Sequence, residues 1–269
     1  MKIVYLQSMI VKDIISAIER VAPLRLQDEW DNSGLQVGFP GADVRKVLVC
    51  LDVTEAVVEE AAAKGCGLIV SHHPLLFHSL KQVSDATYQQ RCVYKALKEG
   101  IAIYSAHTSL DNASGGVNFE IAGRIGLLDL EWLQPKDGED AGSGLVGILP
   151  EPETDKEFLA RIKDTFLVEC LRHSECSGKP IHKVALCGGA GAFLMRDAVR
   201  AGADCFISGE FHYHDYFEND GMLLAELGHY QSEQYTVDLL CSILEGAFPG
   251  LAIIPTDINT NPIQYDDLR

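Results

Sequence analysis

The chain is short of positive charge: 22 Lys plus Arg stand against 39 Asp plus Glu, a net charge of −17. A surface of that sign repels nucleic acid and anionic membranes unless a local cationic site is built in. Long apolar runs are missing as well, so no membrane-spanning segment is expected. The N-terminus has one Lys and a short apolar run broken by Gln7, Ser8, Lys12 and Asp13, with no small-residue cleavage site after it. That pattern predicts no signal peptide. Among the eight cysteines no two have Cys-x-x-Cys spacing, and most lie in apolar runs such as VLVCL and VALCGG. A thiolate zinc site is therefore not expected, and the usage suits a reducing, cytoplasmic location.

What is present is an alternation of strand and helix patterns, the signature of a layered α/β fold. VKDIISAIERVAP carries Val11, Ile14, Ile15 and Ile18 on one helical face. KVLVCLDV reads as a buried strand, Thr54 to Lys64 as a helix closed by Gly65, and CGLIVS as a second strand leading into His72 and His73. A helix from Asp85 to Glu99, the strand IAIYSA and a helix from Gly116 to Gly126 follow. The polar, Gly-rich stretch LQPKDGEDAGSG, residues 133 to 144, is the best candidate for a linker. Beyond it GLVGILP reads as a strand, and Thr154 with Glu157 as a capping box that starts a helix.

From Lys183 the pattern begins again. Cys50 of VLVC and Ser71 of LIVS are about 21 residues apart, and so are Cys187 of VALC and Ser208 of CFIS; a glycine, Gly65 or Gly202, precedes each serine by the same distance. The next strand of each copy, IAIYSAH or LLAELGH, ends in a histidine. His107-x-x-x-Asp111 in the first copy answers His229-x-x-x-Glu233 in the second. The expected organisation is a first α/β half over 1–130, a connecting β-α-β segment over 131–181 and a second half over 182–269, one composite domain with its site on the pseudo-symmetry axis.

The residues that can carry chemistry gather at the strand ends. In Ser71-His72-His73-Pro74 consecutive side chains leave a strand on opposite sides and can reach different ions. A polar cap on the strand is the plain alternative. His229 and Glu233, four apart, share one helical face. Together these groups offer imidazole and carboxylate without thiolate, a set suited to zinc, manganese, iron or nickel. Two divalent ions bring four positive charges, of which Asp111 and Glu233 return two, so water and an anionic small molecule have room to bind. Glu210, His212 and His214 of SGEFHYHD occupy the place of His72 and its successors in the repeat, and are expected near the same cleft as substrate groups or supports for the ligands. Gly188 to Phe193, GGAGAF, follows a strand and opens a helix, where backbone amides can hold phosphate; with Leu194 where a dinucleotide fingerprint would have its third glycine, a tight strand-to-helix turn explains the loop equally well. Trp30 is expected in the core or an interface.

WDNSGLQVG, SHHPLLF, AHTSLDNASGGVN, GILPEPET, CGGAGAF and GHYQSE, in this order, resemble the Nif-three-like family, also called GTP cyclohydrolase type 2 homologues. The resemblance runs from about residue 11 to 255. It implies two metal ions held by His72, His73, Asp111, His229 and Glu233, the last bridging and catalytic, with His107 beside the site as a second catalytic candidate. It also implies a toroidal homohexamer with its sites facing an interior cavity. Glu210 and His212 stand where members more often carry Asp and Lys, which leaves no lysine at 212 to contact phosphate. The function implied is metal-dependent hydrolysis of a nucleotide or another phosphate-bearing small molecule. A non-catalytic metal-binding, storage or delivery protein is the alternative from another class.

Overall fold

A computed structural model describes residues 9–266. Residues 1–8, on which much of the signal-peptide expectation rests, lie outside the described residues. Among the described residues no helix is long and apolar enough to cross a membrane. The chain falls into two compact units, one built from the segment up to Ser109 together with everything from Thr236 onward, the other from Leu110–Tyr235.

The first unit is built on a five-stranded sheet in the order Ala252–Pro255, Lys46–Cys50, Leu68–Ser71, Ala102–Ser105, Gly34–Val37. The first four strands run parallel and the last antiparallel. Apart from the edge strand Ala252–Pro255 the parallel strands are buried on both faces beyond Lys46 and read as near-continuous apolar runs, as such strands do. Leu48, Cys50, Ile69 and Ile103 pack with Val57, Val58 and Ala61 of the helix Glu55–Lys64 and with Cys92, Val93 and Ala96 of the helix Tyr88–Lys98. Tyr104 points to the opposite face, where its hydroxyl reaches Glu19 of the helix Val11–Val21. The helix Glu55–Lys64 starts where the sequence places it: the Thr54 hydroxyl accepts from the Val57 N–H, and Gly65 closes it with φ +69°.

The second unit has a six-stranded sheet, Leu128–Pro135, Gly142–Glu153, Ile181–Cys187, Cys205–Ser208, Leu223–Glu226, Arg172–His173. Its parallel core is the trio from Ile181 to Glu226. The capping box is present, with Thr154 and Glu157 each bonded to the other's backbone N–H at the start of the helix Asp155–Phe166.

The parallel registers of the two units correspond. Cys50 pairs with Ser71 and Ser71 with Ser105; Cys187 pairs with Ser208 and Ser208 with Glu226. The histidine after each third strand is offset by one residue, because His107 is two beyond Ser105 whereas Gly228, at φ +94°, helps set His229 three beyond Glu226.

Two expectations are corrected. Residues 133 to 144 are no linker: they close an antiparallel hairpin in which Pro135 faces Gly142, the Lys136 N–H donates to the Ala141 carbonyl, and Gly138 takes φ +74° at the tip. A polar Gly-rich run suits a hairpin turn as well as a linker. The boundaries 1–130, 131–181 and 182–269 also differ from the observed units. The strand Ala252–Pro255 pairs with Lys46–Cys50, so the C-terminal segment completes the first sheet, while residues from Leu110 belong to the second unit.

Candidate metal centre

Strand ends supply the donors of the first unit, as expected of parallel α/β sheets, whose ligands bind beyond the carboxyl ends of the strands. His72 and His73 follow Ser71, and His107 follows Ser105. The Ser71 and Ser105 hydroxyls are 2.8 Å apart and both lie within hydrogen-bond distance of the His73 carbonyl, so their two protons serve this three-oxygen cluster and fix the path of the chain as it leaves the sheet. One ring nitrogen from each of His72, His73 and His107 lies within 4.8 Å of the others, a group that can hold a metal ion.

Each of the three imidazoles is oriented from behind. His72 Nδ1 donates to the Ala106 carbonyl at 3.0 Å, His73 Nδ1 to Asp52 Oδ1 at 2.7 Å and His107 Nδ1 to Asp31 Oδ1 at 2.7 Å. A carbonyl or carboxylate oxygen only accepts here, so Nδ1 carries a proton and Nε2 is the ring nitrogen that can bind a cation. Burial pushes the Asp31 carboxyl up, but hydrogen bonds from His107 and from the Thr108 and Ser33 hydroxyls hold it far below the usual carboxylate range. Asp52 is likewise lowered: burial opposes, and His73 and the Thr260 hydroxyl prevail.

In the second unit His229 and Glu233 lie on one short helix, His229–Glu233, separate from the long helix Thr236–Ala247 that follows. His229 Nδ1 meets Glu210 Oε1 at 2.9 Å, and His229 Nε2 lies 3.2 Å from Glu233 Oε2. The pattern of the first unit thus recurs, with one ring nitrogen held by oxygen and the other turned to a partner donor. Glu233 is buried. Gly189 brings bare backbone against this pair: its φ is +58°, and a Cβ there would sit 2.4 Å from Glu233 Oε1 and 3.2 Å from His229 Nε2. Asn118 donates to the Asp111 carbonyl and accepts from the Gly188 N–H, both at 3.0 Å, tying the Asp111 turn to the same loop.

The donor chemistry fits divalent cations. Imidazole nitrogens aimed by oxygen acceptors, with carboxylates close by and no thiolate, match zinc and its borderline neighbours.

Glu210 supports His229, whereas His212 and His214 are exposed on a turn, His212 beside Asp215 and His214 edge-on to Tyr213 and near Phe217. In the Gly188 to Phe193 loop the Gly188, Gly189 and Gly191 N–H groups donate to Asn118, Ser232 and Ser208. The loop is a turn braced by side chains. Trp30 is not in the core; it is 59% exposed. Asp31 and Asp52 were not singled out from the sequence. Asp52 stands two residues beyond the strand Lys46–Cys50, and Asp31 lies inside WDNSG; their chain positions gave no sign of which histidine each would hold.

A family model described as Duf34/NIF3 (NGG1p interacting factor 3) matches residues 9–262. The chain belongs to this family. It is 34% identical over 251 residues to a Clostridium acetobutylicum protein named GTP cyclohydrolase 1 type 2 homolog, covering 91% of this chain and 93% of the relative. A fission yeast (Schizosaccharomyces pombe) relative named Protein NIF3 homolog is 32% identical over 246 residues, with 86% and 87% covered. The crystal structure of a Staphylococcus aureus hypothetical protein superposes with a TM-score of 0.88 at 26% identity, covering 96% of this Duf34/NIF3 chain and 100% of the other. The family resemblance and the mixed α/β fold expected from sequence both stand.

Proposed function

We propose that this Duf34/NIF3 protein holds two divalent metal ions through His72, His73, Asp111, His229 and Glu233, with Glu233 bridging, and hydrolyses a nucleotide or other phosphate-bearing small molecule. The observation that carries the reading is the repeated support from behind of the three ligand imidazoles, His72 by Ala106, His73 by Asp52 and His229 by Glu210. Structural histidines have no need of such uniform orientation, whereas metal-binding histidines use it to fix tautomer and direction. Two bound ions would supply Lewis acidity and make water acidic enough to attack near neutral pH. The chain's own part is to keep the Nε2 lone pairs aimed, to hold the Glu233 carboxylate against His229, and to place the Asp31-oriented His107 as a proton-transfer group. The name shared by several relatives supports a cyclohydrolase-type hydrolysis as the first reaction to assay.

Assembly as a homohexamer and a cytoplasmic location belong to the same reading, supported by the family resemblance and by the free cysteines. Zinc, manganese, iron and nickel all suit the donors.

The test is a turnover screen of metal-loaded protein on phosphate esters and GTP, with Glu233→Ala beside wild type. Turnover lost in the folded variant supports the hydrolase. Equal turnover in both overturns it, and no turnover by fully loaded protein together with rapid metal transfer to a chelating acceptor favours the storage or delivery reading.

A further inference from the structure

Beside the three-histidine group of the first unit stands a pair of exposed aromatic rings that the metal chemistry does not use. Trp30 is 59% and Phe77 42% exposed. Their centroids lie 5.7 Å apart, and both rings approach His107, at 5.9 Å for Trp30 and 6.3 Å for Phe77. His107 in turn lies 5.3 Å from His72 and 5.5 Å from His73, so the rings run without a break from the donor group to the two exposed aromatics.

The loops that present Trp30 and Phe77 are locked. Asp31, next to Trp30, has a fully buried side chain bonded to His107 and to the Thr108 and Ser33 hydroxyls. Asn32 Nδ2 donates to the Leu76 carbonyl at 2.7 Å, and the Leu76 N–H donates to Gln36 Oε1 at 3.2 Å. Leu76, the residue before Phe77, is therefore clamped through both its N–H and its carbonyl to the segment that follows Trp30. One short sequence, Trp30-Asp31-Asn32, exposes a ring, aims a donor histidine and fixes the facing loop. A large indole left exposed on so rigid a support is a preorganised contact surface. A molecule anchored by its anionic end at the histidines has these π-faces as its next contact.

We propose that Trp30 and Phe77 form the specificity subsite of the metal centre and take the planar ring of the ligand, so that the preferred ligands are ring-bearing phosphates rather than aliphatic ones. The inference rests on the proposed phosphate-binding metal centre and narrows its substrate class. Base-on-aromatic stacking tolerates any planar ring, because every one offers a π-face. The subsite therefore selects for a ring and leaves its identity open.

The experiment compares binding of AMP and of ribose 5-phosphate, which lacks the base, to the zinc-loaded full-length protein by calorimetry. Wild type, Trp30→Phe, Trp30→Leu and Trp30→Leu/Phe77→Leu are measured, and the native mass of each is recorded. Wild type is expected to bind AMP at least about tenfold more tightly. That preference should persist in Trp30→Phe, fall in Trp30→Leu and vanish in the double variant, with ribose 5-phosphate affinity unchanged throughout. Equal binding of both compounds to wild type overturns the subsite and leaves the metal-centre reading standing. Binding of neither overturns both. A changed native mass in Trp30→Leu with AMP preference intact shows that the rings pack against another copy of the chain, and also overturns it.

Discussion

Asp52 receives the His73 Nδ1–H on one carboxylate oxygen and the Thr260 hydroxyl on the other, both at 2.7 Å, so a residue at a strand end is braced by one near the C-terminus. The carboxylate that aims His73 is itself aimed by Thr260, and both lie in the unit completed by the strand Ala252–Pro255.

Asp52→Asn should therefore weaken metal binding without unfolding the chain. The amide keeps the shape but loses the charge that favours the Nδ1–H tautomer. Removing such a support lowers affinity by about 10- to 100-fold in known metal sites. Competition against a zinc-binding dye measures it, with Thr260→Val expected to show a smaller loss in the same direction.

Gly189→Ala should cost both stability and metal. The backbone there has φ +58°, where an alanine is strained by about 1 kcal/mol or more. Its Cβ would also press on the Glu233 carboxylate at 2.4 Å. Gly202→Ala carries the same backbone strain, with φ +72°, but meets nothing within 4 Å. Thermal melts should show both variants destabilised, and elemental analysis should show metal loss in Gly189→Ala alone.

Glu19 predicts a pH effect away from the donors. Burial raises its carboxyl above the ordinary value of 4.5, and the Tyr104 hydroxyl only partly opposes this. A raised carboxyl pKa means the folded state holds its proton more tightly than the unfolded one. The charged form then subtracts stability above the folded pKa, and that penalty disappears as pH falls below the unfolded value. Glu19→Gln should accordingly be more stable than wild type at neutral pH, with the gap closing on acidification. Urea titrations at several pH values check the sign.

Much of this was legible in the chain because local rules and tertiary structure agree. Thr54 and Gly65 bound their helix as the cap chemistry requires, and Thr154 with Glu157 do the same. The spacing from Cys50 to Ser71 and from Cys187 to Ser208 reappears as matched parallel register. Residues 133 to 144 misled because composition cannot tell a hairpin tip from a linker; strand pairing on either side decides it. The C-terminal strand was hidden for a related reason, since its partner Lys46–Cys50 lies some 200 residues away in sequence. Histidines that can bind metal are visible as a residue type. Asp31 and Asp52 are not, because their role is a direction in space that only the folded chain supplies.

The most direct test of the metal centre is elemental analysis of protein purified without a His tag, comparing wild type with His229→Ala/Glu233→Ala. About two divalent ions per wild-type chain, mostly lost in the variant, is the predicted result. Wild type that binds no metal after reconstitution with manganese, iron and zinc would contradict the account.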